Sequence, residues 1–293
     1  MALKEQGQAV GDSNSNDNNN GLVLELCDVH KGFDYSGKAA VAGISHHQVL
    51  NGINLKVKKG EFVTIVGPSG CGKSTLLNII SGLDRPDSGK VVVNRSYSNN
   101  SSRSSGQKEK KAAGGNGVIV IFQEGALFPW LTVQDNVEFG LKMAGVEKNR
   151  RAQVASRYTE MVGLARFSQS YVYQLSGGMK QRVAIARALA MDPEVLMMDE
   201  PFAALDVQTR ELMYDELLGI HKTTGKTIVF VTHNINEALL LGDRVIVLSP
   251  LVRNIKREFT IGLPRPRNAD AAELQIIKRQ ILKEFEEDFR HAK

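Results

Sequence analysis

Cysteine is scarce: two among 293 residues, Cys27 on an expected strand and Cys71 in a Gly-rich loop, which suggests neither disulfides nor a metal site. Long apolar runs are missing as well. No stretch approaches the ~20 apolar residues of a membrane-spanning helix, so membrane association must go through partners. The N-terminus lacks the apolar core of a signal peptide, which points to a reducing, cytoplasmic setting. Charge of one sign is not in excess either. With 37 basic against 32 acidic residues the surface is mixed, unlike the basic stripe of a nucleic-acid binder. What is plentiful is apolar material: 42% hydrophobic residues suffice for one large globular domain or two modest ones.

Residues 1–21 end in the polar run Gly11 to Asn20 and predict a disordered tail. Leu22 to Val29 and Val49 to Lys58 read as strands. In the second, Ile53, Leu55 and Val57 alternate with Asn54, Lys56 and Lys58, the pattern of a half-solvated antiparallel sheet. Between them Phe33, near Tyr35, sits in a polar loop, where it either stacks on a purine or caps local core. His46 and His47 read as loop residues, with no cysteine or carboxylate at ligand spacing. The Ser-, Asn- and Lys-rich stretch 94–116 predicts a flexible insert. A buried strand, Val118 to Phe122, ends on Gln123. From about 127 to 190 the period is helical, with Thr132 as an N-cap and Val133, Val137 and Leu141 on one face. In the 251–293 extension, Leu274, Ile277, Ile281, Phe285 and Phe289 form one helical stripe.

Four stretches carry chemistry. Gly67-Pro68-Ser69-Gly70-Cys71-Gly72-Lys73-Ser74-Thr75 satisfies G-x-x-x-x-G-K-[ST] and lies between the apolar strand Phe62 to Val66 and a short helix. Glycines there let backbone N–H groups crowd an anion, and the helix N-terminus adds partial positive charge. Lys73 reaches β- and γ-phosphates, and Ser74 ligates Mg²⁺. Leu175-Ser176-Gly177-Gly178 opens a second helix and a second anion site, with Ser176 as its N-cap. Val195 to Met198 is an apolar strand ending in Asp199 and Glu200, a pair suited to holding Mg²⁺ and to polarising a water. His233 follows the buried strand Thr227 to Thr232, where ligands of open α/β sheets bind.

Together, over about Leu22 to Pro250, these stretches resemble the ATPase subunit of ABC transporters. The resemblance implies an α/β P-loop NTPase: a RecA-like core, an antiparallel β-subdomain and an α-helical subdomain carrying the signature. It identifies residues 67–75 as the Walker A loop, Gln123 as the Q-loop, Leu175 to Met179 as the signature and Asp199 with Glu200 as the end of Walker B. Ala204 to Asp206 is the D-loop, His233 the switch histidine, and Phe33 the aromatic that stacks on adenine. ATP and Mg²⁺ are the implied cofactors, with Ser74, Gln123 and Asp199 toward the metal and Lys73, Gln123, Glu200 and His233 in hydrolysis. The segments Gln123 to Val133, Thr232 to Leu241 and Leu263 to Arg267 are similar to those of the nitrate, sulfonate and taurine importers. The insert, and Val172-Tyr173 in place of a Pro-His pair, depart from that pattern. The implied partners are a second ATPase subunit in a head-to-tail dimer, membrane-embedded permease subunits and, indirectly, a substrate-binding protein, with no nucleic acid. The implied location is peripheral, on the cytoplasmic face of the inner membrane. Another reading is a soluble ABC-type ATPase acting on ribosomes or DNA, which would carry paired cassettes or a long coiled-coil insert.

Overall fold

The structure, a computed structural model, describes residues 21–34, 46–94, 117–123 and 126–291. The expected tail up to residue 20, Tyr35, the insert from 95 to 116, Glu124 and Gly125 lie outside the described residues.

Two sheets adjoin. The smaller has order β2-β1-β4, built from β1 (Leu22–Asp34), β2 (His46–Lys58) and β4 (Ser88–Val93), all antiparallel. Ile53, Leu55 and Val57 of β2 are buried while Asn54, Lys56 and Lys58 are exposed, as their alternation requires. β1 and β2 both run further than their apolar patterns. The β1–β2 ladder continues through Phe33 opposite His47 and Asp34 opposite His46, so Phe33, His46 and His47 stand on strands rather than in a loop. Backbone pairing, which is indifferent to side-chain polarity, extends the hairpin there.

The larger sheet has order β5-β6-β7-β3-β8-β9. Its members are β3 (Phe62–Val66), β5 (Val118–Ile121), β6 (Val195–Asp199), β7 (Thr227–Thr232), β8 (Arg244–Ser249) and β9 (Asn254–Thr260). The first five are mutually parallel, and β9 turns back antiparallel on β8. β3 and β7 are buried throughout, as continuous apolar strands covered on both faces must be.

Helices cover those faces. α1 (Lys73–Ser81) packs Leu76, Leu77, Ile79 and Ile80 into a core shared with the small sheet. α2 (Val133–Met143), α3 (Lys148–Met161) and α4 (Gly177–Ala190) form the helical unit on the other side, together with α5 (Val207–Thr224). α6 (Ile235–Leu241) and α7 (Ala272–His291) close a third core against β8 and β9. Leu274 and Ile281 of α7 are buried there, but Phe289 is exposed, because the buried position of the last turn is Asp288, which accepts from Lys256 of β9. Arg267 fastens the preceding segment. Its guanidinium donates to the carbonyls of Leu239 at 2.7 Å, Gly242 at 2.6 Å and Leu263 at 2.9 Å, satisfying the C-terminal end of α6.

Candidate functional site

The strand order explains why residues far apart in sequence meet. β5, β6, β7 and β3 lie side by side and point the same way, so Gln123, Asp199 with Glu200, His233 and the phosphate loop all leave the sheet at one edge. That is the carboxyl edge, where open α/β sheets bind ligands.

The loop after β3 is tight. A Cβ at Gly67 would stand 2.5 Å from the Cys71 Sγ and 2.7 Å from the Leu248 carbonyl, so only glycine fits. Gly72 has φ 97 and begins α1 in the left-handed region. Lys73 is 7% exposed, and its Nζ donates to the carbonyls of Gly67 at 2.8 Å and Pro68 at 3.1 Å. These bonds fold the ammonium over its own loop. Ser69, Gly70, Lys73, Ser74 and Glu200 line a cavity of about 400 Å³ above it.

Ser74 Oγ donates to Asp199 Oδ2 at 3.5 Å. Burial, and then the neighbouring Glu200 charge, push the Asp199 carboxyl above the usual carboxylate range, against the Ser74 hydroxyl and the Lys73 charge. A hydroxyl beside a half-buried carboxylate whose charge lacks solvation fits a hard divalent cation. Glu200 is held at φ 45, with its N–H donating to the Val231 carbonyl of β7 at 2.9 Å. A non-glycine residue in the left-handed region is strained, and Glu200 lines the loop cavity from that position. Its Oε2 lies 2.9 Å from His233 Nδ1.

The helix start at Ser176 forms with the expected N-cap, but it lies elsewhere. Ser176 Oγ accepts from Met179 N at 3.3 Å and caps α4, leaving Ser176 and Gly177 exposed. Gly178 packs on Thr209, whose Cγ2 would be 2.9 Å from an added Cβ. No residue of 175–179 lines the cavity above the phosphate loop. One chain therefore does not bring the two sites together. Phe33 is 44% exposed at the end of β1 under the Lys31 ammonium, 5.2 Å from its ring centre, and does not line that cavity either.

Gln123 is exposed at the end of β5, beside a second groove of about 320 Å³ between that strand and the helical unit. Phe128, Phe139, Arg187 and Met191 line it. The Phe128 ring packs 4.3 Å from Phe139 and 5.7 Å from Trp130, and Trp130 itself is 70% exposed. Asn136 fixes this wall: its Nδ2 donates to the carbonyls of Phe128 at 3.1 Å and Thr132 at 2.9 Å, and its Oδ1 accepts from Phe128 N at 2.9 Å. The apolar stripe of α2 does not single out Asn136; a polar residue beside Val133 and Val137 was the one available signal.

Residues 50–203 match a family described as ABC transporter. The chain is 44% identical over 259 residues to the nitrate import ATP-binding protein NrtD of Synechocystis sp., covering 88% of this chain and 90% of that protein. It is also 44% identical over 216 residues to the taurine import ATP-binding protein TauB of Roseobacter denitrificans, covering 74% and 76%. Among solved structures it is similar to the dimeric post-hydrolysis state of the ATP-binding cassette MJ0796 bound to ADP and Pi. That likeness has a TM-score of 0.64 at 35% identity, over 82% of this chain and all of that one.

Proposed function

The chain belongs to the ABC transporter ATP-binding family, and from that premise we propose that it is the ATP-hydrolysing subunit of an importer for nitrate, a sulfonate, taurine or a similar small anion. The observation that carries the cargo class is the 44% identity to a nitrate import subunit along nearly the whole of both chains. A ribosome- or DNA-directed ATPase is not favoured: the named relatives are import subunits.

In this reading the loop from Gly67 to Thr75 wraps the phosphates, with its N–H groups and the α1 N-terminus facing their charge. Lys73 donates to the β- and γ-phosphates in exchange for its loop carbonyls. Ser74 and Asp199 would hold Mg²⁺, with Gln123 leaving the same sheet edge though not lining the phosphate cavity, and the ion would supply positive charge against the phosphates. Glu200 takes the proton of the attacking water, and His233, at 2.9 Å, orients that carboxylate. Ser176, Gly177 and Gly178 complete the site from a second subunit in a head-to-tail dimer. The support is that one chain leaves Ser176 and Gly177, at the start of its signature helix, exposed and outside the cavity above its own phosphate loop. Phe33 stacks on the adenine. The groove beside Gln123, with exposed Trp130 at its rim, receives a permease subunit, which sets the ATPase peripherally on the cytoplasmic face of the membrane.

The test is uptake. Deleting the gene should abolish import of one labelled anion among nitrate, taurine and an alkanesulfonate, and Glu200→Gln should fail to restore it. Unchanged uptake of all three would overturn the cargo class.

A further inference from the structure

Glu237 lies on the first turn of α6, is 5% exposed, and has no place in the chemistry above. A carboxylate that deep must be matched by donors. Two hydroxyls supply them. Thr232 Oγ1 donates to Glu237 Oε2, and the Tyr214 hydroxyl of α5 bonds the same carboxylate. Burial and the nearby Glu237 charge push the Tyr214 phenol above its ordinary value, so it remains a donor. The Thr232 hydroxyl, its proton committed to Glu237, accepts from Asn234 N at 3.0 Å. Asn234 in turn caps α6, its Oδ1 accepting from Asn236 N at 3.0 Å and Glu237 N at 3.3 Å.

His233 stands between those two pinned residues. Its side chain is 61% exposed and its ring is tethered to Glu200. An exposed ring on one hydrogen bond cannot hold its own position, so its backbone must do so. A cavity of about 40 Å³, lined by Glu200, Arg210, His233 and Glu237, joins the buried carboxylate to the site and has room for one or two waters. We propose that Glu237 is a positioning residue for hydrolysis: through the Thr232 hydroxyl it locks the turn that carries His233 and so keeps the imidazole on Glu200. The proposal rests on the reading of Glu200 and His233 as the hydrolytic pair.

The experiment measures steady-state ATPase activity of the full chain. Glu237→Ala should lower kcat by about tenfold to a hundredfold, the cost of a misplaced catalytic group, while KM for ATP stays within about twofold. Glu237→Gln keeps an acceptor for the Thr232 hydroxyl and should recover most of kcat. In a His233→Ala background, Glu237→Ala should cost no more than about twofold further, because its effect passes through the imidazole. Should Glu237→Ala be insoluble, Thr232→Val removes the linking hydroxyl at nearly constant volume and should reproduce the loss of kcat. Full additivity with His233→Ala, or a Thr232→Val enzyme with unchanged kcat, would overturn the proposal. A His233→Ala enzyme of wild-type kcat would instead remove the reading beneath it, and the proposal with it.

Discussion

Replacing Lys73 by Ala removes a buried ammonium that has two separable jobs. Its Nζ satisfies the carbonyls of Gly67 and Pro68, at 2.8 and 3.1 Å, and it faces the phosphate cavity. Phosphate oxygens must compete with those carbonyls, so the net gain on binding is less than two full charge-assisted bonds. One such bond contributes about 1.5–3 kcal/mol, which puts ATP affinity about ten- to a hundredfold lower in the variant. The loop is affected without nucleotide as well. Unpairing the Gly67 carbonyl, while the Pro68 carbonyl keeps the Cys71 N–H at 3.3 Å, costs about 1–3 kcal/mol, or roughly 2–10 °C in melting temperature for a domain of this size. Calorimetric titration with a slowly hydrolysed ATP analogue reads the first effect, and thermal unfolding in plain buffer reads the second. Lys73→Met, which keeps the apolar stem, should show the same loss of affinity. A dissociation constant within threefold of wild type would refute the phosphate role; an unchanged melting temperature would refute the carbonyl role.

Asn136→Ala leaves the Phe128 N–H unpaired, and leaves the Phe128 and Thr132 carbonyls with only their backbone donors, the N–H groups of Leu131 and of residue 136; it should lower stability by about 1–3 kcal/mol in a urea titration. His221 bonds the Gly60 carbonyl at 3.0 Å, and burial lowers its pKa below the ordinary 6.5. The unfolded chain therefore binds the extra proton first, so this contribution to stability is present above about pH 6.5 and is lost as pH falls below it. His221→Gln should flatten the fall in melting temperature between pH 7 and 5, and an unaltered slope would contradict this. Exchanging residues 95–116, whose composition cannot build a core, for a short Gly/Ser turn should leave melting temperature and ATPase activity nearly unchanged. A collapse of either would count against that expectation.

The chemistry-bearing stretches were legible in the sequence because each is local. A strand, a Gly-rich turn and a helix start within about 15 residues determine the phosphate loop, and the apolar run before Asp199 and Glu200 marks a strand end. The neighbourhood of β6, β7 and β3 was not legible, since parallel strands are joined through helices of any length and the pattern does not order them. Phe33, His46 and His47 read as loop in the sequence, yet stand on strands, because ladder bonds continue where the apolar alternation stops. Strand β9 carries Lys256, Arg257 and Glu258 in its middle and reads as polar. Yet Lys256 is matched by Asp288 at 2.9 Å and Arg257 by Glu284 at 2.9 Å across α7. Asn136 and Glu237 sit at positions where a helix pattern tolerates any polar residue, and only the packed neighbours reveal that both are buried and bonded.

The central claim is that ATP closes two copies of this chain around the phosphates and that Glu200 opens them by hydrolysis. Glu200→Gln keeps the shape and a hydrogen bond to the attacking water but cannot take its proton, so turnover should fall by about 10²–10⁴. Lys73, Ser74 and Asp199 are untouched, so ATP should still bind. Size-exclusion chromatography with light scattering, in ATP and Mg²⁺, is the direct measurement. The account predicts that the variant elutes as a dimer with two ATP retained, while wild type remains largely monomeric. A variant that binds ATP, hydrolyses it slowly and still runs as a monomer would contradict the head-to-tail closure.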